Sequence, residues 1–188
     1  MLYALLVSTG LVALAEIGDK TQLLALLLAA RFRAPWPIIA GIFVATVVNH
    51  AGAAVLGAWV AELVSPTVLR WALGLSFLAM AAWMLIPDTV EDEEGAAYRY
   101  GPFVATVITF FLAEMGDKTQ IATVMLAAKF EATAAVVVGT TLGMMLANAP
   151  VVWLGNFSAE RLPLRLIHAV AAGVFALLGV LALVGWPA

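Results

Sequence analysis

Cysteine is absent from this 188-residue chain, which excludes disulfides, thiolate metal sites and cysteine nucleophiles. Charge is scarce too: 11% of residues are Asp, Glu, Lys or Arg, against about 25% in soluble domains. The few Lys and Arg form no basic patch, so no nucleic-acid partner is expected. Only two histidines occur, His50 and His168, leaving carboxylates, amides and hydroxyls as the main pool of metal ligands. What is present is apolar: 64% of residues are hydrophobic and the mean hydropathy is +1.06. The composition is that of an all-α integral membrane protein with the lipid bilayer as its surroundings. The formal charge of −3 comes largely from one acidic cluster, Asp88 to Glu94.

Apolar runs separated by Pro, Gly and charge predict six transmembrane helices, at about Leu2–Ala30, Pro37–Ala61, Val68–Ile86, Pro102–Ala128, Thr133–Leu154 and Leu164–Val184. Each is near or above the ~20 residues that cross hydrocarbon, whereas membrane strands are only about ten residues long. The first run has no basic start and no small-residue cleavage site, so it is expected to be a mature membrane helix and not a signal peptide. The two halves align without a gap at an offset of 98 residues, pairing Glu16 with Glu114, Gly41 with Gly139, Gly57 with Gly155 and Phe77 with Phe175. Three spans per half is odd, so the second copy starts from the opposite side of the membrane. The expected architecture is two inverted three-helix repeats, residues 1–86 and 101–188, joined by an acidic linker at 87–100. Secondary transporters are commonly built this way, with their site near the midplane between repeats.

The connections after spans one, three and five carry Arg31, Arg33, Arg99, Arg161 and Arg165, while the other side has Arg70 and Lys129. The positive-inside rule then predicts a cytoplasmic central loop and both termini outside. Trp36, Trp59, Trp71, Trp153 and Trp186 fall near span ends, where an interfacial belt is expected.

Within this apolar chain, Ala15-Glu16-Ile17-Gly18-Asp19-Lys20-Thr21-Gln22 is nearly repeated as Ala113-Glu114-Met115-Gly116-Asp117-Lys118-Thr119-Gln120. Unpaired Asp or Lys at the centre of a membrane helix costs roughly 2.5–3.5 kcal/mol, so six such groups facing lipid would cost on the order of 15–20 kcal/mol. They must face one another, an ion or a water-filled cavity. On a continuous helix Glu16 and Asp19 share one side, as do Glu114 and Asp117, and an inverted axis would bring all four carboxylates together. Hard divalent cations such as Mn²⁺, Ca²⁺ and Mg²⁺ prefer such oxygen ligands. With Lys20 and Lys118 protonated the motifs carry a formal charge of −2, which one divalent ion or two protons would cancel. Metal and protons would then compete for the same oxygens.

Lys20 stands four residues after Glu16, suited either to a structural ion pair or to gating by charge compensation in the metal-free state, and Lys118 repeats the position. The Asp-x-x-Gln spacing resembles a capping box opening a new helical segment, and Gly18 and Gly116 permit a break. The first span, at 29 residues or roughly 43 Å, exceeds a ~30 Å core and requires a tilt, break or protruding end. If Asp19 and Asp117 cap half-helices, Glu16 and Glu114 are the better direct ligands. Gln22, Gln120, Asn49 and Asn148 are secondary candidates, for which buried interhelical hydrogen bonding is the plainer role, and Thr21 and Thr119 share that ambiguity and join the lysines as candidates for gating. Asn148 aligns with His50 and not with Asn49. His50 suits a proton relay, although a lone histidine is more often a satisfied core group. His168, near Arg165 at a span end, carries less functional weight. Gly139 and Gly143 form a Gly-x-x-x-Gly packing pattern.

The doubled Glu-x-Gly-Asp-Lys-Thr motif in a six-span duplicated chain resembles the family of manganese and calcium exchangers defined by two E-x-G-D-[KR]-[ST] motifs, also called the Ca²⁺:cation antiporter-2 family. Both motifs match at every defining position, and the resemblance covers essentially the whole chain. It implies transport of Mn²⁺, or Ca²⁺ in some members, in exchange for H⁺, with no cofactor and with the metal as substrate. It also implies a multi-pass protein of the cell inner membrane or plasma membrane, similar to bacterial members that export excess manganese. Carried onto matching positions, the metal-binding residues are Glu16, Asp19, Glu114 and Asp117. Two other classes compete: a passive cation channel lined by acids, and an intramembrane metal-dependent enzyme. The second lacks a Ser, Cys or His nucleophile near the motifs.

Overall fold

Two glycines divide what the apolar pattern presents as continuous spans. A computed structural model describes residues 1–86, 96–154 and 164–185, and every regular element among them is helical. Helix α1 (Leu2–Glu16) stops at Ile17, and α2 (Lys20–Phe32) restarts after Asp19. Between them Gly18 has φ +84°, a left-handed conformation that a Cβ would strain. The pair bends by 70° at this point. The second half repeats the break: α5 (Gly101–Glu114) and α6 (Lys118–Lys129) flank Gly116, whose φ is +75°. The excess length of the first span is thus taken up by a break.

The remaining helices are α3 (Pro35–Leu63), α4 (Pro66–Trp83), α7 (Thr133–Leu154) and α8 (Leu164–Val184). Pro35 and Pro66 occupy first helical turns, where a missing N–H costs nothing. Among the described residues α3, α7 and α8 are long and apolar enough to cross a membrane, and the bent α1 and α2 pair reaches that length and apolarity only when its two helices are taken together. A short 3₁₀ turn, Ala96–Tyr100, precedes α5 and docks Tyr98 against Phe32 and the Arg31 guanidinium at the end of α2. Residues 87–95 of the acidic linker, Gly155, Arg161 and Trp186 lie outside the described residues.

The two halves exchange equivalent contacts. A Cβ on Gly41 of α3 would meet Thr106 and the Phe103 carbonyl of α5, and one on Gly139 of α7 would meet Ser8 and the Leu5 carbonyl of α1. Those partners, Leu5 with Phe103 and Ser8 with Thr106, stand at the same 98-residue offset as Gly41 and Gly139. Gly57 admits the Val124 carbonyl of α6, and Gly143 admits the Thr9 carbonyl of α1, so small residues let the broken helices press onto the long ones. Helix α4 packs on α8, where the equivalent residues Phe77 and Phe175 meet with ring centroids 6.3 Å apart. Trp36, Trp59, Trp71 and Trp153 are all at least half exposed, as an interfacial belt requires.

Candidate functional site

Each break exposes backbone groups that a continuous helix would satisfy. At the first, the Gly18 N–H donates to Gln22 Oε1 at 2.9 Å, and Gln22 Nε2 donates to the Ala147 carbonyl of α7 at 2.9 Å. At the second, the Gly116 N–H donates to Gln120 Oε1 at 2.7 Å, and Gln120 Nε2 donates to Asn49 Oδ1 of α3 at 3.1 Å. Ala147 and Asn49 are themselves equivalent positions. The glutamines therefore act as braces between each broken helix and the long helix of the other half. Both ends of Gln22 and Gln120 are occupied. So are both ends of Asn49, whose Nδ2 donates to the Phe111 carbonyl at 3.0 Å.

The capping box expected from the Asp-x-x-Gln spacing does not form as such. Asp19 and Asp117 stand at the N-caps of α2 and α6, but neither side chain makes a capping bond. Gln22 and Gln120 reach the N–H of the preceding glycine and not that of the cap residue. The carboxylates turn inward: one oxygen each from Glu16, Asp19 and Asp117 lie within 4.8 Å of one another, and all three residues are buried. Both motifs thus contribute to one cluster. Glu114 is not part of that triad, although it is as deeply buried as Glu16.

The two glutamates are held alike. The Thr21 hydroxyl donates to Glu16 Oε2 at 2.6 Å, and the Thr119 hydroxyl donates to Glu114 Oε2 at 2.8 Å. Because both threonines open the second half-helix, each break is clasped by a bond from its far side to its near side. Across from Glu16 stands Asn148 of α7, with Nδ2 at 3.4 Å from Glu16 Oε2 and Oδ1 accepting no hydrogen bond. Across from Glu114 stands His50 of α3, with Nε2 4.0 Å from Glu114 Oε2. The remaining oxygens Glu16 Oε1, Glu114 Oε1 and Asp117 Oδ2 are buried and accept no hydrogen bond. Donors of this kind, oxygen-rich and unsatisfied, suit a hard divalent ion.

Lys20 departs from its i, i+4 expectation, because the break removes the helical register that would set it over Glu16. Its Nζ lies 3.2 Å from Asp117 Oδ1, in the other motif. Lys118 is buried, donates to the Ile86 carbonyl at 3.2 Å and lies over the Trp83 ring. His168 of α8 hydrogen-bonds the Ile17 carbonyl at 2.9 Å, satisfying a backbone group freed by the first break. Nothing in its sequence surroundings marks that role, since the bond spans 151 residues of chain.

A family model described as "Divalent cation/proton antiporter GDT1" matches the chain twice, over residues 4–92 and 102–187. The chain belongs to this family. The GDT1 family is one of transporters and not of enzymes, and membership with these apolar helices makes the chain a multi-pass membrane protein. A Vibrio cholerae serotype O1 protein named "Putative manganese exporter" is 59% identical over 175 residues, covering 93% of this chain and 87% of that protein. More distant GDT1 relatives include "GDT1-like protein sll0615" of Synechocystis, 26% identical over 96% of both chains. "GDT1-like protein 3" of Oryza sativa subsp. indica is 29% identical over 92% of this chain and 70% of that protein. No solved structure matches the chain.

Proposed function

We propose that this protein exports Mn²⁺ from the cytoplasm in exchange for H⁺, through one midplane site drawn from both Glu-x-Gly-Asp-Lys-Thr motifs. The observation that carries this reading is the buried cluster of Glu16, Asp19 and Asp117, with oxygens within 4.8 Å of one another. At an effective dielectric of about 20, each ionised pair at that separation repels by at least about 3 kcal/mol. Lys20 offsets only part of this. Either a divalent ion or protons must complete the balance, and exchanging one for the other is antiport. Glu16 and Glu114, Asp19 and Asp117 are the ligands of this reading, with Asn148 Oδ1 as an additional oxygen. Gln22, Gln120 and Asn49 shape the breaks, while Thr21 and Thr119 orient the glutamates. The manganese assignment draws support from the name of the Vibrio relative, and Ca²⁺ is the alternative hard ion for such oxygens.

Two inverted three-helix repeats, 1–86 and 101–188 around a linker at 87–100, are the architecture of this reading. The exchanged contacts of Gly41 and Gly139, and the meeting of Phe77 with Phe175, support it. So does the pairing of each broken helix with the long helix of the other half, since half-helix ends at the repeat interface are where transporters bind ions. Six spans, a cytoplasmic central loop and external termini in the inner or plasma membrane complete the topology.

The test is Mn²⁺ flux in proteoliposomes with an imposed pH gradient. Wild-type protein should drive Mn²⁺ uphill at the expense of the gradient, and Glu16→Gln or Glu114→Gln should abolish it. Flux indifferent to the gradient would overturn exchange. Wild-type flux in both variants would overturn the site.

A further inference from the structure

Neither motif contains a histidine, yet an imidazole faces the glutamate of the second motif. His50 is fully buried in α3, and neither ring nitrogen has a hydrogen-bond partner. Leaving a buried polar group unsatisfied costs about 1–3 kcal/mol, so a satisfied core histidine, the ordinary outcome, is not what this position holds. Its Nε2 is 4.0 Å from Glu114 Oε2, too far for a hydrogen bond. Donors sharing one six-coordinate ion with bonds of about 2.1–2.6 Å lie about 3–5 Å apart, so the gap is the right size for an ion to bridge.

The equivalent position in the other half is Asn148, which approaches Glu16 from α7 as His50 approaches Glu114 from α3. One long helix therefore presents an amide to its glutamate, and the other presents an imidazole. Glu16, Asp19, Asp117 and Asn148 offer oxygen alone, which serves Ca²⁺ and Mg²⁺ as well as Mn²⁺. Ca²⁺ and Mg²⁺ are hard ions that take oxygen ligands, whereas imidazole nitrogen binds first-row transition metals, Mn²⁺ the least strongly among them.

We propose that His50 is a specificity-determining ligand of the transported ion, forming with Glu114 a mixed nitrogen and oxygen half-site that favours transition-metal ions such as Mn²⁺ over Ca²⁺ and Mg²⁺. The inference rests on the proposed divalent-cation site and adds the residue by which that site selects its cargo. It assigns discrimination to one half of the site and leaves the other half permissive.

The deciding measurement is pulsed electron paramagnetic resonance of Mn²⁺ bound to detergent-purified wild-type protein labelled with ¹⁵N-histidine. A ¹⁵N coupling on the bound ion that disappears in His50→Asn is the expected result. Saturable Mn²⁺ binding with no nitrogen coupling in the wild type would overturn the role of His50 and leave the oxygen site standing. No saturable Mn²⁺ binding in the wild type would overturn the site and the inference together. A second readout uses Ca²⁺ competition against gradient-driven Mn²⁺ uptake. Losing even groups one layer from a metal weakens binding roughly 10–100-fold, so His50→Asn should shift the Mn²⁺ to Ca²⁺ preference at least about 10-fold toward Ca²⁺. An unchanged ratio in an active His50→Asn protein would overturn the proposal.

Discussion

The surroundings of Glu16 and those of Glu114 share a scaffold and differ in chemistry. Each glutamate ends a helix before a left-handed glycine, receives a threonine hydroxyl from beyond the break, and faces residue 50 or its equivalent 148 on the long helix of the other half. Yet Glu16 meets an amide and joins a three-carboxylate cluster, while Glu114 meets an imidazole and stands outside that cluster. The breaks differ too: Met115 is 56% exposed, whereas the carbonyl of its counterpart Ile17 is bonded by His168. The two breaks thus keep the same backbone constraint, because φ at Gly18 and Gly116 admits few residues, and differ where side chains alone set what faces each glutamate.

Removing charge from either glutamate should break both half-sites equally. Glu16→Gln and Glu114→Gln preserve shape and remove a ligand oxygen's charge, so each should lower gradient-driven Mn²⁺ flux about 100-fold or more, beyond the loss typical of groups that only support a ligand. If one variant keeps most of its flux, the two glutamates do not serve one ion.

The threonines sharpen the comparison. Thr21→Val and Thr119→Val each delete a hydrogen bond to a buried carboxylate, worth about 1.5–3 kcal/mol when the acceptor is charged. Glu16 keeps the Asn148 amide at 3.4 Å, while the imidazole facing Glu114 stands at 4.0 Å. Thr119→Val should therefore weaken Mn²⁺ binding more than Thr21→Val, by about 10-fold against a smaller loss. Calorimetric titration of the two purified variants checks the order, and a larger loss in Thr21→Val would contradict it.

Packing should obey the symmetry that the donors do not. A Cβ at Gly41 would lie 2.9 Å from the Phe103 carbonyl, and one at Gly139 would lie 2.6 Å from the Leu5 carbonyl, both fixed backbone atoms. Gly41→Ala and Gly139→Ala should each destabilise the fold by about 1–3 kcal/mol, as overpacking does. Gly52→Ala, where no atom lies within 4 Å, should be neutral or stabilising. Thermal unfolding in detergent compares all three, and a neutral Gly139→Ala would sink the equivalence of the two interfaces.

Much of this scaffold is legible along the chain. The apolar runs at Thr133–Leu154 and Leu164–Val184 carry the same bounds as α7 and α8, because Pro, Gly and charge mark helix ends locally. The surplus length of the first run signals a break, and Gly18 is its natural place. Side-chain direction at the break is another matter. Asp19 and Asp117 look like caps by spacing, but an N-cap carboxylate can turn to its own helix or to a cation across the site, and that choice depends on residues about 98 positions away. Lys20 illustrates the same limit: its spacing from Glu16 has meaning only on an unbroken helix. The equivalence of His50 and Asn148 is visible in the alignment, but not that both point at a glutamate.

The smallest expected effect belongs to Lys20, and its sign is informative. Lys20 Nζ holds Asp117 Oδ1 at 3.2 Å with its side chain 28% exposed, so the pair is partly screened and contributes about 0.2–1 kcal/mol. A divalent ion entering the cluster must share Asp117 with this ammonium group. Lys20→Met removes the competitor while keeping the apolar stem, so Mn²⁺ should bind about 1.5- to 5-fold more tightly, as the removal of that pair energy implies. The metal-free state loses the cation that offsets its carboxylates, so it should unfold at lower temperature in detergent. Tighter binding with a less stable metal-free protein is the signature of charge compensation, whereas a purely structural pair would lose stability with no gain in affinity. Weaker Mn²⁺ binding by Lys20→Met would show instead that the ammonium group helps to hold Asp117 in place for the ion.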